Sequence, residues 1–102
     1  MSRPNFITET DIARWSDILD QEQHISQDLL KIPQLRETCY AGLWLAEELS
    51  KLNCPHSIVG QIQWTAGKMS YTSDPWAVHQ LILKEYMDNT LVFEPEQPSV
   101  LN

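Results

Sequence analysis

The sequence predicts a small all-α domain, a bundle of about four helices. Three observations support this. Apolar residues recur at three- and four-residue spacing through four segments. Threonine, serine, aspartate or proline stands where each of those segments would begin. Asn53-Cys54-Pro55 and Asp88-Asn89 stand where two of them would end. A chain of 102 residues builds one domain and one modest core. Its hydrophobic share of 42% argues against wholesale disorder.

Residues 1–7 read as an extended N-terminus, with Pro4 early. Thr8 or Thr10 caps a first helix, with acidic residues in its first turn, where the helix dipole favours them. Ile12, Trp15 and Leu19 form its apolar stripe, with Ile18 at the edge. Gln21 to Ser26 loses the pattern, and Ser26 opens a short turn carrying Leu29 and Leu30. Ile32 is pushed out of the helical region by Pro33, which itself suits a helix first turn. The second long helix runs from there to about Leu52, with Leu35, Cys39, Gly42, Ala46 and Leu49 as its main stripe.

Residues 56–71 support two readings. With a helical period, Ile58, Ile62, Thr65 and Met69 share a face. With period two, Ile58, Gly60, Ile62 and Trp64 alternate with Val59, Gln61 and Gln63, and TAGK supplies a turn. The helix is preferred because Pro55 and the length suit it; the alternative is an α+β fold with a hairpin near 57–71. Ser73 or Asp74 caps the last helix, with Pro75 near its first position, and Val78, Leu81, Ile82, Glu85 and Tyr86 on one side. The helical domain thus spans 8–89. Residues 90–102, with two prolines, read as an extended tail that docks on the bundle.

Three of these helices carry a second stripe. With Leu35 at zero and 100° per residue, the main stripe of its helix lies within about 40°, while Tyr40 falls near ~140° and Trp44 near ~180°. There they sit among Arg36, Glu37, Glu47 and Lys51. Gly60, Trp64, Gly67 and Tyr71 recur opposite Ile58 and Ile62. Trp76, Leu83 and Met87 recur opposite Val78 and Ile82. A central helix meets neighbours on two sides, so both stripes can be internal. A domain this small has limited interior, so at least one second stripe is expected to be exposed or used in self-association. The candidate partner-binding residues are Tyr40, Trp44, Trp64, Tyr71, Trp76, Leu83 and Met87, residue types that interfaces enrich.

The formal net charge is −7, which opposes phosphate backbones and argues against direct nucleic-acid binding. The acidity is concentrated at the front, where six carboxylates face Arg3 and Arg14 within the first 28 residues. MSRPNFITETD has no apolar leader core, and no run approaches the ~18 apolar residues of a membrane span. A soluble cytoplasmic protein with reduced thiols is the expectation.

Chemistry is sparsely signalled. Cys54, His56, Cys39, His24 and His79 have no zinc-ligand spacing. Glu47, Glu48 and Glu85 lack the Glu-x-x-His pattern of a di-iron bundle. Gly60, Gly67 and Lys68 are not a phosphate loop, and read instead as close helix packing. Cys39 reads as an inert buried thiol and Cys54, beside His56, as the better exposed one. No catalytic residue, cofactor or metal is assigned. The leading expectation is a non-enzymatic interaction module, such as an assembly factor, adaptor or small subunit, with another protein or a second copy as partner. The alternative is an acidic inhibitor or regulator of a nucleic-acid-binding protein; a weaker one is a small thiol enzyme.

Overall fold

The computed structural model describes residues 3–92. Among them are five α-helices and no strand: α1 (Glu9–Asp20), α2 (Gln27–Leu30), α3 (Pro33–Lys51), α4 (His56–Met69) and α5 (Pro75–Met87), with a 3₁₀ turn, Ser70–Thr72, between the last two. Residues 93–102, read from the sequence as an extended tail, lie outside the described residues.

Local chemistry sets most boundaries. Thr8, not Thr10, caps α1 in a reciprocal box: Asp11 N–H donates to Thr8 Oγ1 at 3.1 Å and Thr8 N–H to Asp11 Oδ2 at 3.0 Å. Ser26 precedes α2 without a side-chain cap bond. Pro33 and Pro75 occupy the first turns of α3 and α5, where a missing N–H costs no helical bond. Asp74 accepts from Trp76 N–H at 3.1 Å and caps α5.

Two helices end alike. Asn53 and Asn89 adopt left-handed φ of 62° and 59°. Beyond α3, Asn53 N–H bonds Ser50 O and Cys54 N–H bonds Leu49 O, both at 3.0 Å. Beyond α5, Asn89 N–H bonds Tyr86 O at 3.2 Å and Thr90 N–H bonds Glu85 O at 2.9 Å. Both are Schellman terminations, built on the non-glycine residue that best tolerates this region.

The hairpin alternative for 57–71 does not occur. The Pro55 carbonyl accepts from Ile58 and Val59 N–H, each at 3.0 Å, and starts α4 directly. Val59, Ile62, Thr65 and Ala66 are its buried residues, a helical spacing.

Helix α3 is central, and α1, α2, α4 and α5 all pack on it. The main stripe expected for it is corrected. Leu35, Cys39, Gly42 and Ala46 are only half-buried; Tyr40, Ala41, Trp44, Leu45 and Leu49 are buried. The core lies on the charged side because those charges have internal work. Trp15 Nε1–H donates to Glu47 Oε2 and Trp76 Nε1–H to Glu37 Oε1, both at 2.9 Å. Arg14 then grips Glu47 through two nitrogens, at 2.9 and 3.2 Å, and Arg3 grips Glu37 likewise.

The rings between these bonds form a continuous series. Tyr40 meets Trp15 at 6.4 Å between centroids, Trp15 meets Trp76 at 6.3 Å, Trp76 meets Trp44 at 6.2 Å, and Trp44 meets Phe6 at 5.8 Å. All four contacts are tilted, the arrangement ring quadrupoles favour. The Tyr40 hydroxyl accepts from Arg36 Nε at 2.7 Å and pairs with Ser16 at 2.9 Å, which joins α1 to α3.

Trp44→Ala is expected to cost roughly 3–5 kcal/mol of stability. At about 4–8 °C per kcal/mol for this size, the melting temperature should fall by roughly 12 °C or more. A loss of only a few degrees would mean that Trp44 is not held in the ring series.

Burial would raise the Glu37 and Glu47 carboxyls above 4.5, but the arginine and indole donors outweigh it and hold both below. A carboxyl lowered by folding contributes stability above 4.5, and that contribution is lost as pH falls through the folded value. The urea midpoint should therefore drop as pH goes from about 5 to about 3. Glu37→Gln should shorten that drop; an unchanged acid limb would show that Glu37 is not its source.

Candidate functional site

The seven residues expected on a partner face are divided by the fold. Tyr40, Trp44 and Trp76 are interior, with Trp76 only 1% exposed. A central helix buries two sides, and the polar atoms of Trp76 and Tyr40 are satisfied within the domain. Trp64 is 37% exposed on α4 and Tyr71 is 84% exposed on the 3₁₀ turn. Leu83 is half-buried and Met87 is 59% exposed, both on α5.

Three of the seven meet in one place. Trp44, Leu83 and Met87 line a shallow groove with Phe6, which is 56% exposed, and the groove holds about 260 Å³. Phe6 is held there by its neighbour Ile7, which is buried and whose N–H bonds the Pro4 carbonyl at 3.1 Å. Lys84 and Asp88 pair with each other along its edge. On the other side of Phe6 and Trp44 lies a polar depression of about 270 Å³, where Asp11, Glu47 and Glu48 face Arg14 and Lys51. The two aromatic rings thus separate an apolar groove from a carboxylate-rich hollow.

Trp64 belongs to a different concavity. The end of α1 and the loop after it supply Ile18 and Ile25, α3 supplies Cys39, Gly42 and Leu43, and α4 supplies Trp64 and Gly67. This cleft holds about 390 Å³. At its floor is His79 of α5, 1% exposed. Its Nδ1 lies 2.7 Å from the Pro75 carbonyl, which can only accept, so the proton sits on Nδ1. The Ser70 hydroxyl, 3.4 Å from the same nitrogen, donates to Ala66 O at 2.7 Å. Burial lowers the imidazole below its ordinary 6.5, against a smaller opposite push from the Pro75 bond. His79 is therefore neutral at pH 7, with a bare acceptor at Nε2. Among the described residues no hydrogen bond reaches that atom, and it stays open to solvent, since no buried polar side-chain atom among them lacks a partner.

The glycine reading is corrected as well. Gly60 and Gly67 were expected to mark close packing, yet a Cβ at either would meet nothing within 4 Å. At Gly42 a Cβ would make only ordinary contacts, 3.9 Å from His79 Nε2 and 4.0 Å from Gln63 Nε2. A glycine inside a helix costs roughly 0.5–1 kcal/mol relative to alanine. Packing does not require that cost at any of the three.

A larger hollow of about 500 Å³ lies where α2 meets α3, lined by Arg3, Lys31, Arg36, Glu37 and Tyr40. Its charges are already engaged, in the Arg3–Glu37, Lys31–Asp28 and Arg36–Asp20 pairs. Among the described residues no group of three His, Cys, Asp or Glu side chains is placed to hold a metal.

The exposure expected of the two thiols is reversed. Cys54 is buried, its thiol against Tyr86, and Cys39 is half-buried in the cleft wall. Burial raises the Cys39 pKa, only partly offset by Arg36. With His79 neutral and Cys39 protonated, the cleft does not contain an activated thiolate–imidazolium pair. Of the four carboxylates on α1, Glu9, Asp17 and Asp20 are exposed and Asp11 is half-buried; Asp11 pairs with Arg14 and Asp20 with Arg36.

Phe6, Ile18, Ile25, Leu43 and His79 were missed as site residues. For His79 a signal was available: Pro75, Val78, His79 and Ile82 recur at i, i+3, i+4, i+7, which puts the imidazole on the core face. No family model, curated protein or solved structure matches the chain.

In the native protein, a disulfide reagent should modify Cys39 slowly and leave Cys54 until unfolding. Peptide mapping that finds Cys54 labelled first would contradict this assignment.

Proposed function

We propose that this domain is a non-enzymatic protein–protein interaction module that holds a segment of another protein across Phe6 and Trp44. The carrying observation is that two large apolar side chains, Phe6 and Met87, are held open around the edge of Trp44. That groove suits a segment bearing apolar side chains, and the net charge of −7 favours one that is also basic. The apolar groups would enter the groove, and the negative field of the domain would draw the cations toward it.

Charge favours a different protein over a second copy, because each copy carries −7. Two free cysteines suit a reducing compartment, and the cytoplasm is part of this reading. No helix among the described residues is long and apolar enough to cross a membrane. The acidic-regulator alternative draws on the same net charge and on the exposed Glu9, Asp17 and Asp20 of α1, of which Asp20 is paired with Arg36.

The test compares proteins captured from native cells by the wild type, Phe6→Ala, Met87→Glu and, as a control, Tyr71→Ala. A partner retained by wild type and Tyr71→Ala should be lost from the first two, whose melting temperatures should stay within a few degrees of wild type. With the purified partner, Phe6→Ala should weaken binding by about 30-fold or more, the scale of a hot-spot truncation. Equal recovery by all four proteins, or recovery of none, would overturn the assignment.

A further inference from the structure

We propose that the cleft between α1, α3 and α4 binds a small, neutral, planar aromatic compound that donates one N–H or O–H hydrogen bond to Nε2 of His79. This site shares no lining residue with the Phe6/Trp44 groove and does not depend on the interaction reading.

The first support is the acceptor. A buried imidazole normally finishes with both nitrogens partnered. Here Nδ1 is fixed on the Pro75 carbonyl at 2.7 Å, while no hydrogen bond from the described residues reaches Nε2, which is left open to solvent beside the cleft that His79 lines. A neutral acceptor at the bottom of an apolar recess selects a ligand with a donor, and rejects one without it, because binding would then seal the lone pair away from water.

The second support is Gly42. Its missing Cβ leaves space beside Nε2, since an added Cβ would lie 3.9 Å from that atom, in ordinary contact. Alanine would fit and would favour the helix, so glycine here keeps access rather than packing. Gly67 widens the same cleft, with open space where its Cβ would be.

The third support sets the ligand's size and character. About 390 Å³ lies at the lower end of small-molecule pockets, roughly 300–1,000 Å³. Ile18, Ile25 and Leu43 make apolar walls, and Trp64, 37% exposed, adds an aromatic ring that Lys68 Nζ also approaches, at 5.2 Å from its centroid. No lysine or arginine lines the cleft to meet an anion, and its polar side chains Glu22, Thr38 and Gln63 already bond the backbone of His24, Gln34 and Gly42. One or two fused rings with a single donor match these limits.

Indole and 1-methylindole are the probes, because methylation removes the donor and leaves the ring system. In titrations followed by two-dimensional NMR, indole should shift the amides of Gly42, Gly67 and His79 and the His79 Nε2 resonance. 1-Methylindole should bind about tenfold more weakly or worse, the scale of one unmade buried hydrogen bond. Gly42→Ala should melt no lower than wild type and should lose indole affinity by a similar factor. Equal affinity for the two probes, unchanged indole binding by Gly42→Ala, or shifts only outside the cleft would each overturn the proposal. So would an absence of shifts at millimolar indole. If Gly42→Ala fails to fold, the contrast between the two probes on wild type decides.

Discussion

The domain depends on the pairing of two indole N–H groups with two carboxylates of one helix. A tryptophan can be fully buried only where its N–H finds an acceptor. Glu37 and Glu47 provide those acceptors to Trp76 and Trp15 from opposite ends of α3. A carboxylate at such a site needs compensation in turn, and Arg3 and Arg14 bring it from the N-terminal segment and from α1. One motif therefore fixes four things together: the roll of α3, the docking of α1, the docking of α5, and the path of the chain before Thr8.

The surfaces follow from that constraint. Rolling α3 toward the indoles takes Tyr40 and Trp44 inside and leaves Cys39, Gly42 and Leu43 on the half-buried side, where α1 and α4 flank them. The cleft is thus the reverse of the ring series, left where no large side chain fills the space between the flanking helices. The Arg3–Glu37 pair also steers the N-terminal segment so that Phe6 comes to rest on Trp44. The groove that Phe6 forms with Leu83 and Met87 is a second product of the same pairing.

Legibility varied with the range of the interaction concerned. Pro33, Asp74, Pro75, Asn53 and Asn89 act within a turn of their own positions, and each boundary was readable from the chain. The stripe of α1, and that of α4 apart from Met69, which is 44% exposed, were readable for the same reason, because polar and apolar sides there do divide water from core. In α3 they do not. Hydrophobic periodicity ranks a side chain by its preference for water, and on that scale Glu37 and Glu47 mark an outer face. The ranking reverses when a carboxylate is the acceptor a buried indole requires. The Cys39 and Cys54 exposures were misread along with it, as both depend on which side of α3 faces inward.

The sequence by itself determined the all-α class, the helix termini, the single-domain size and the acidic balance. These follow from local capping, proline geometry and composition, which need no knowledge of distant residues. Only the tertiary structure decided which face of α3 is core, where Phe6 lies, and that His79 ends with one nitrogen open to a cleft. Each of those outcomes joins residues at least 30 positions apart, as Trp15 with Glu47, Arg3 with Glu37, and Gly42 with His79. No periodicity within a helix encodes such a meeting, because it is settled by the packing of whole helices against one another.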